Sequence, residues 1–288
     1  MSQQKIILVA GPTAAGKSGF ALDLARKRRG TIINADAMQI YGGLPILSAQ
    51  PDAKEQKEIP HELYGVLEPS EKSSVGKWVT LATTAIEKTF AAGGTPILVG
   101  GTGLYFKSLL GGLAAIPPIP DDVRETTQKL YDEIGEESFR RKLTTLDPET
   151  AARLAKNDRQ RSIRAYEVAV HTGKTIGYWH KQKSDSQQSW EIESHLLMPE
   201  RETLYAACDH RFALMIEHGA IEEVKNLLQR KLDPQLPAMK TLGVREITAY
   251  LLGEINLKDA ISQTQQATRN YAKRQMTWFR NQWTYKNI

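Results

Sequence analysis

The chain has 288 residues, 25% of them charged and 41% hydrophobic, a balance ordinary for a globular chain able to bury a full core in one or two domains. The net charge of +5 hints at a polyanionic partner and decides nothing by itself. One cysteine, Cys208, excludes an intramolecular disulfide and a cysteine-built zinc site, and no run is apolar for long enough to span a membrane, so a cytoplasmic protein is expected.

Lys5–Ala10 is a short apolar, β-branched run, followed at once by Gly11-Pro12-Thr13-Ala14-Ala15-Gly16-Lys17-Ser18 and then by a helix-compatible stretch from Phe20 to Lys27. The octet fits G-x-x-x-x-G-K-[ST] in its strand–loop–helix context. Glycines let the backbone curl around an anion, successive N–H groups point inward, and the helix N-terminus adds partial positive charge. Lys17 supplies a point charge for outer phosphate oxygens and Ser18 a hydroxyl for Mg²⁺. Residues 11–18 therefore predict a di- or triphosphate site.

Gly30–Asp36 reads as a second buried strand ending in a carboxylate, 41–45 and 50–52 as an irregular loop, and Leu63–Leu67 as a short edge strand. A helix is expected over Val75–Ala92, stopped by Gly93-Gly94, then a strand over Pro96–Gly101 and a helix opening at Thr102–Phe106. The β-α-β-α-β-α order predicts a parallel sheet with helices on both faces. Ile116–Pro120 reads as a stiff hinge, and 117–189 as a strandless helical insertion in a core of 1–116 and 190–288. Within it, Asp147-Pro148 and Asp158 are predicted helix starts and Gly173 a stop. Lys181–Ser189 is polar and structure-poor, Glu191–Met198 returns to strand, and helices follow over 201–231, 240–253 and 257–284.

A strand-end aspartate of the kind that holds Mg²⁺ in NTP hydrolases is missing after Val99, and there is no N-K-x-D guanine signature. Asp36 is the carboxylate that finishes a core strand, so it should share the carboxyl-edge crevice with Lys17 and Ser18. It reads either as a general base beside a bound diphosphate or as a cap or outer Mg²⁺ group. Gly100–Gly103 reads equally as a nucleotide-binding turn or as close helix–strand packing. Residues 153–164 carry five basic side chains against one acid, Asp158, a plausible phosphate-backbone footprint or a solvated helix face. Residues 268–283 mix four basic residues with four aromatics and no acid; the expectation is that Trp278, Phe279 and Trp283 pack inward while the cations face water.

The segments 11–18, Asn34–Tyr41, Ile97–Tyr105, Asn157–Arg161 and Tyr271–Arg280, in order over nearly the whole chain, together resemble the tRNA dimethylallyltransferase family. The resemblance implies an α/β fold: a P-loop, nucleotide-kinase-like parallel-sheet core with a helical insertion domain and a helical C-terminal region. It implies transfer of a dimethylallyl group from its diphosphate to N6 of adenosine 37, beside the anticodon of a tRNA; a monomer is expected. Asp36, Thr13 and Arg211 would then be catalytic: the base, a diphosphate ligand and a clamp on the leaving group. Gly11, Pro12, Thr13, Ala14, Ala15, Gly16, Lys17 and Ser18 would hold the diphosphate, with Ser18 on Mg²⁺. The tRNA-contacting segments would be Asp36, Ala37, Met38 and Gln39; Thr102; Arg124; Gln160, Arg161, Ser162, Ile163 and Arg164; and Lys240, Thr241, Leu242, Gly243, Val244 and Arg245. The chain departs from the family pattern at Ala15 and Ala37, where serine is usual, at Ser18, at Glu62 and across Leu47–Pro51. A small-molecule or nucleotide kinase, with the insertion as a lid, is the alternative; an RNA-binding NTPase switch is third.

Overall fold

The computed structural model describes residues 4–182 and 190–285. It divides into two compact units, Met1–Leu109 with Gln188–Ile288, and Leu110–Gln187. The division thus falls ahead of the proline segment on which the sequence placed it.

In the first unit, β1 (Lys5–Ala10) leads through the phosphate loop into α1 (Lys17–Arg28), and β2 (Gly30–Asn34) follows. Next come α2 (Ala53–Glu58), β3 (His61–Glu62), α3 (Val75–Ala91), β4 (Thr95–Gly100) and α4 (Gly103–Gly111), whose last two residues are assigned to the second unit. The predicted strand at 63–67 is not formed: pairing ends at Glu62, and only Leu67 makes an isolated bridge, to Tyr41. Leu63 at φ 67° and Gly65 at φ 62° turn the chain out of extended geometry there.

The second unit, helical throughout its described elements, contains α5 (Asp121–Leu146), α6 (Pro148–Arg153), α7 (Arg159–Thr172) and α8 (Ile176–Lys181). Gly135 kinks α5. Asp147 caps α6 by accepting from the Thr150 N–H at 3.0 Å, Asp158 caps α7, and Gly173 ends α7 at φ 65°. Of the polar stretch expected over 181–189, Lys181 ends α8; residues 183–189 lie outside the described ones.

The chain returns as β5 (Glu191–Leu196), α9 (Arg201–Glu217), α10 (Ala220–Gln229), α11 (Val244–Leu251) and α12 (Leu257–Gln282). The single helix expected over 201–231 is two, because Gly219 adopts φ 102° and ends the first. That over 240–253 starts later, after a 3-10 turn at Ala238–Lys240.

The five strands are parallel in the order β3-β2-β4-β1-β5. Because β1 is flanked on both sides, Ile6, Ile7, Leu8 and Val9 are all fully buried. Such burial stabilises by about 1.5–3 kcal/mol per side chain. Ala21, Leu22 and Ala25 of α1 pack on one sheet face with Ile7, Val9, Ile32 and Ile97. On α3, buried Trp78 stacks on Tyr105 with centroids 4.2 Å apart and donates its indole N–H to the Asn34 carbonyl at 2.9 Å. That bond pins the end of β2, the strand that delivers Asp36.

Candidate active site

Parallel strands bring the turns after β1, β2, β4 and β5 to one edge of the sheet. The phosphate loop leaves β1 with Gly11 at φ 148°, Ala14 at φ 61° and Gly16 at φ 82°. A Cβ on Gly11 would collide with the Leu197 carbonyl, so only glycine fits between the ends of β1 and β5. Ala15 packs with Leu204 and Cys208 of α9 and with Ala272 and Met276 of α12. That apolar seat accounts for alanine where the family pattern has serine.

Thr13 is held twice. Its N–H donates to Gln275 Oε1 at 2.8 Å, and its hydroxyl accepts from Arg211 Nη2 at 2.6 Å. Helix α9, which carries Arg211, is tied to α12 by Arg269 Nη1 on both oxygens of Asp209 at 2.6 Å and by Gln265 on the Asp209 carbonyl at 3.1 Å. Burial lowers the Arg211 pKa from the ordinary arginine value, and the charge of Asp36 opposes that shift. Lys17 donates to the Pro12 carbonyl at 2.6 Å. Burial brings its pKa down to about 8; Asp36 opposes the change and Arg211 adds to it.

A pH dependence follows. An incoming diphosphate favours charged Lys17 and so raises its pKa on binding. If a diphosphate enters here, its affinity is therefore expected to fall as pH rises above about 8, by up to about tenfold per unit. Calorimetry at pH 8.5 in buffers of different ionisation enthalpy should record proton uptake, and Lys17→Ala should abolish it. Uptake unchanged in the variant would remove Lys17 from the binding step.

Asp36 lies two residues past β2. Asn34 shapes its turn, Oδ1 accepting from the Asp36 N–H at 2.7 Å and Nδ2 donating to the Asp36 and Leu63 carbonyls at 3.0 Å. Asp36 Oδ1 accepts from the Met38 N–H at 2.9 Å. The Asp36 charge is felt by Lys17 and Arg211 across the crevice and also raises the pKa of Tyr64, Tyr105 and Tyr271, for which burial is the larger cause. One oxygen of Asp36 thus organises its own turn, and the carboxylate's charge acts on the two cations of the crevice.

Thr102 accepts from the Ala37 N–H at 3.0 Å, Met38 Sδ from the Thr241 hydroxyl at 3.6 Å, and Gln39 Nε2 donates to the Ser48 and Ala49 carbonyls at 3.0 and 2.7 Å. The structure thus gathers residues 36–39, Thr102 and Thr241. Lys240 and Arg245 are exposed beside buried Thr241, Gly243 and Val244, and Leu242 is half-buried. A Cβ on Gly243 would press on Leu47, Phe212 and Thr264. In the second unit Arg124, Gln160 and Arg161 are exposed and Arg164 is half-buried, whereas Ser162 and Ile163 are buried and serve that unit's core. Arg159 meets Asp132 at 2.5 Å, Arg161 Asp158 at 2.9 Å and Arg164 Glu167 at 3.5 Å.

The glycines of 100–103 serve close packing: added Cβ atoms would collide with Ala35 at Gly100, Gln275 at Gly101 and Trp278 at Gly103. Phe279 is buried and Trp283 packs edge-on against Phe106, so the tail's aromatics do face inward. Gln50, at a departure from the family pattern, donates to the Tyr41 carbonyl at 2.8 Å and to the Ser48 hydroxyl at 3.0 Å, a strut within its loop. Sequence reasoning missed the roles of Asn34, Asp209 and Gln275. Asn34 was signalled by its place in an Asn-x-Asp strand exit; nothing local marked the other two.

A phosphate loop opposed by a strand-exit carboxylate, on a parallel sheet, defines a P-loop enzyme of nucleotide-kinase-like architecture. The family model described as IPP transferase matches residues 39–282, and that described as isopentenyl transferase matches 4–63. The chain is 48% identical to the tRNA dimethylallyltransferase of Caulobacter sp. (strain K31), over 98% of this chain and 91% of that protein. A Rhodospirillum centenum protein of the same name is 48% identical over 96% and 88%. Among solved structures, a tRNA delta(2)-isopentenylpyrophosphate transferase from Staphylococcus epidermidis is 30% identical with a TM-score of 0.70, covering 99% of this chain and 93% of that one. A eukaryotic dimethylallyltransferase acting on tRNA is 28% identical with a TM-score of 0.83, covering 96% and 70%. The chain belongs to the IPP transferase family and is a prenyltransferase.

Proposed function

We propose that the chain transfers a dimethylallyl group from dimethylallyl diphosphate to N6 of adenosine 37 of a tRNA and releases diphosphate. The observation that carries this is the opposition of Asp36 to a cradle of Lys17, Thr13 and Arg211 at one sheet edge. Named tRNA-modifying relatives over nearly the whole chain support it and disfavour the kinase alternative.

In this reading the loop amides, Thr13 and Lys17 grip the diphosphate, and Arg211 meets the charge that grows as the allylic C–O bond breaks. Asp36 takes the proton from N6 as nitrogen bonds to the allylic carbon; the C–O electron pair leaves with diphosphate. The adenine must leave the anticodon-loop stack to reach Asp36. Mg²⁺ fits this site: the exposed Ser18 hydroxyl on the first turn of α1 would be its protein ligand, with diphosphate oxygens and water completing a hard-oxygen set. The cation would neutralise charge on the leaving group. The enzyme would work as a cytoplasmic monomer; no helix among the described residues is long and apolar enough to cross a membrane.

Incubating the protein with dimethylallyl diphosphate, Mg²⁺ and total tRNA, then reading adenosine N6-alkylation by mass spectrometry, tests the reaction; an absolute ATP requirement would favour the kinase. For the second unit, Arg159→Ala with Arg161→Ala should weaken tRNA binding and leave donor affinity unchanged. The slope of log K against log salt should flatten by about one unit per lost phosphate contact. An unchanged slope with a lowered melting temperature would mean these arginines serve only their pairings with Asp132 and Asp158.

A further inference from the structure

We propose that Gln275 is a positioning residue that holds the diphosphate cradle in register with the general base; the inference rests on the transfer reaction proposed above. Its side chain, 6% exposed, reaches from α12 between two turns far away in sequence. Oε1 accepts from the Thr13 N–H at 2.8 Å, and Nε2 donates to the Gly101 carbonyl at 2.9 Å. The partners fix the orientation of the amide, since an N–H needs an acceptor and a carbonyl needs a donor. A glutamate would satisfy only the first while ionised, and an apolar side chain neither. Gly101 is glycine because the amide occupies the space of its Cβ.

The tie continues to the base. Beyond Gly101, the Thr102 N–H donates to the Ala35 carbonyl at 3.2 Å, and the Thr102 hydroxyl accepts from the Ala37 N–H at 3.0 Å. These residues flank Asp36. A continuous path therefore runs from Thr13 through one side-chain amide to both neighbours of the base. Gln275 touches neither reacting atom in the proposed chemistry, so its action is through Thr13 and Gly101. Helix α12 is seated independently by Ala272 and Met276 against Ala15, Leu204 and Cys208, so a volume-conserving change at 275 should leave the helix in place.

The test uses Q275M, which keeps volume and removes both bonds, and Q275E. Q275M is expected to lower the single-turnover rate at saturating donor and tRNA by about tenfold, the scale of one or two net hydrogen bonds, and to weaken inorganic diphosphate binding several-fold. Its affinity for tRNA should equal wild type. Q275E carries a chemical rescue: protonated, its carboxyl donates to Gly101 while still accepting from Thr13. Burial raises a carboxyl pKa, so the ratio of Q275E to wild-type rate should climb as pH falls from about 8 to about 6. A Q275M rate within twofold of wild type, or a Q275E ratio flat with pH, overturns the proposal. Diphosphate binding, read by calorimetry, separates the two claims. If wild type binds diphosphate but alkylates no tRNA, the transfer reading fails, while weakened binding in Q275M still upholds the tie at Thr13 and unchanged binding removes it.

Discussion

Asp36→Ala is expected to lower the single-turnover transfer rate by about 10²–10⁴, the range for loss of a general base, with little change in tRNA affinity. The carboxylate is placed by its own turn: Asn34 brackets its backbone, and the Met38 N–H occupies Oδ1. Among the described residues Oδ2 makes no hydrogen bond, so in the proposed reaction that oxygen would take the proton while Oδ1 keeps the carboxylate aimed. Asp36→Asn separates the two tasks, because an amide oxygen can still accept from Met38 but cannot serve as the base. Both variants should therefore fall by similar factors. A rate above half of wild type in either would remove Asp36 as the base.

Arg211→Ala should cost about 10²–10³ in the transfer step, the range for removing one preorganised donor from developing negative charge. Arg211 is aimed before any substrate arrives. Its guanidinium rests on the Thr13 hydroxyl at 2.6 Å, and Asp209, two residues earlier, is clamped by Arg269. Arg211→Lys should recover little, since a single ammonium cannot meet Thr13 and diphosphate oxygens with a fixed planar fork. Ground-state binding of inorganic diphosphate should weaken much less than the rate. If rate and binding fall by the same factor, Arg211 binds the diphosphate uniformly and does not act on the transition state.

The loop between β1 and α1 and the place of Asp36 at the sheet edge were legible because each has a local cause. An anion cradle needs particular glycines beside a lysine, and a carboxylate closing a buried run must emerge at the sheet edge. The caps at Asp147 and Asp158 were legible for the same reason. Helix α2 was missed although Asp52 and Glu55 form a capping box, with both reciprocal bonds present, a signature visible in the sequence. The break at Gly219 was missed because the apolar spacing carries on through it, and only the backbone conformation of that glycine ends α9. Gln275 lay beyond reach for another reason: a polar residue on a long helix announces nothing until its distant partners are known.

The order of β1 and α12 along the chain has a consequence for biosynthesis. The phosphate loop emerges from the ribosome early, but the side chain that accepts from its Thr13 amide is 262 residues away. The interior strand β1 likewise waits for β5 before its second edge is paired. The second unit can order itself from neighbouring helices as they appear, while the site in the first unit closes only when α12 docks. A nascent chain thus carries its most recognisable motif from the start, and the bond that holds the Thr13 amide is among the last things to form.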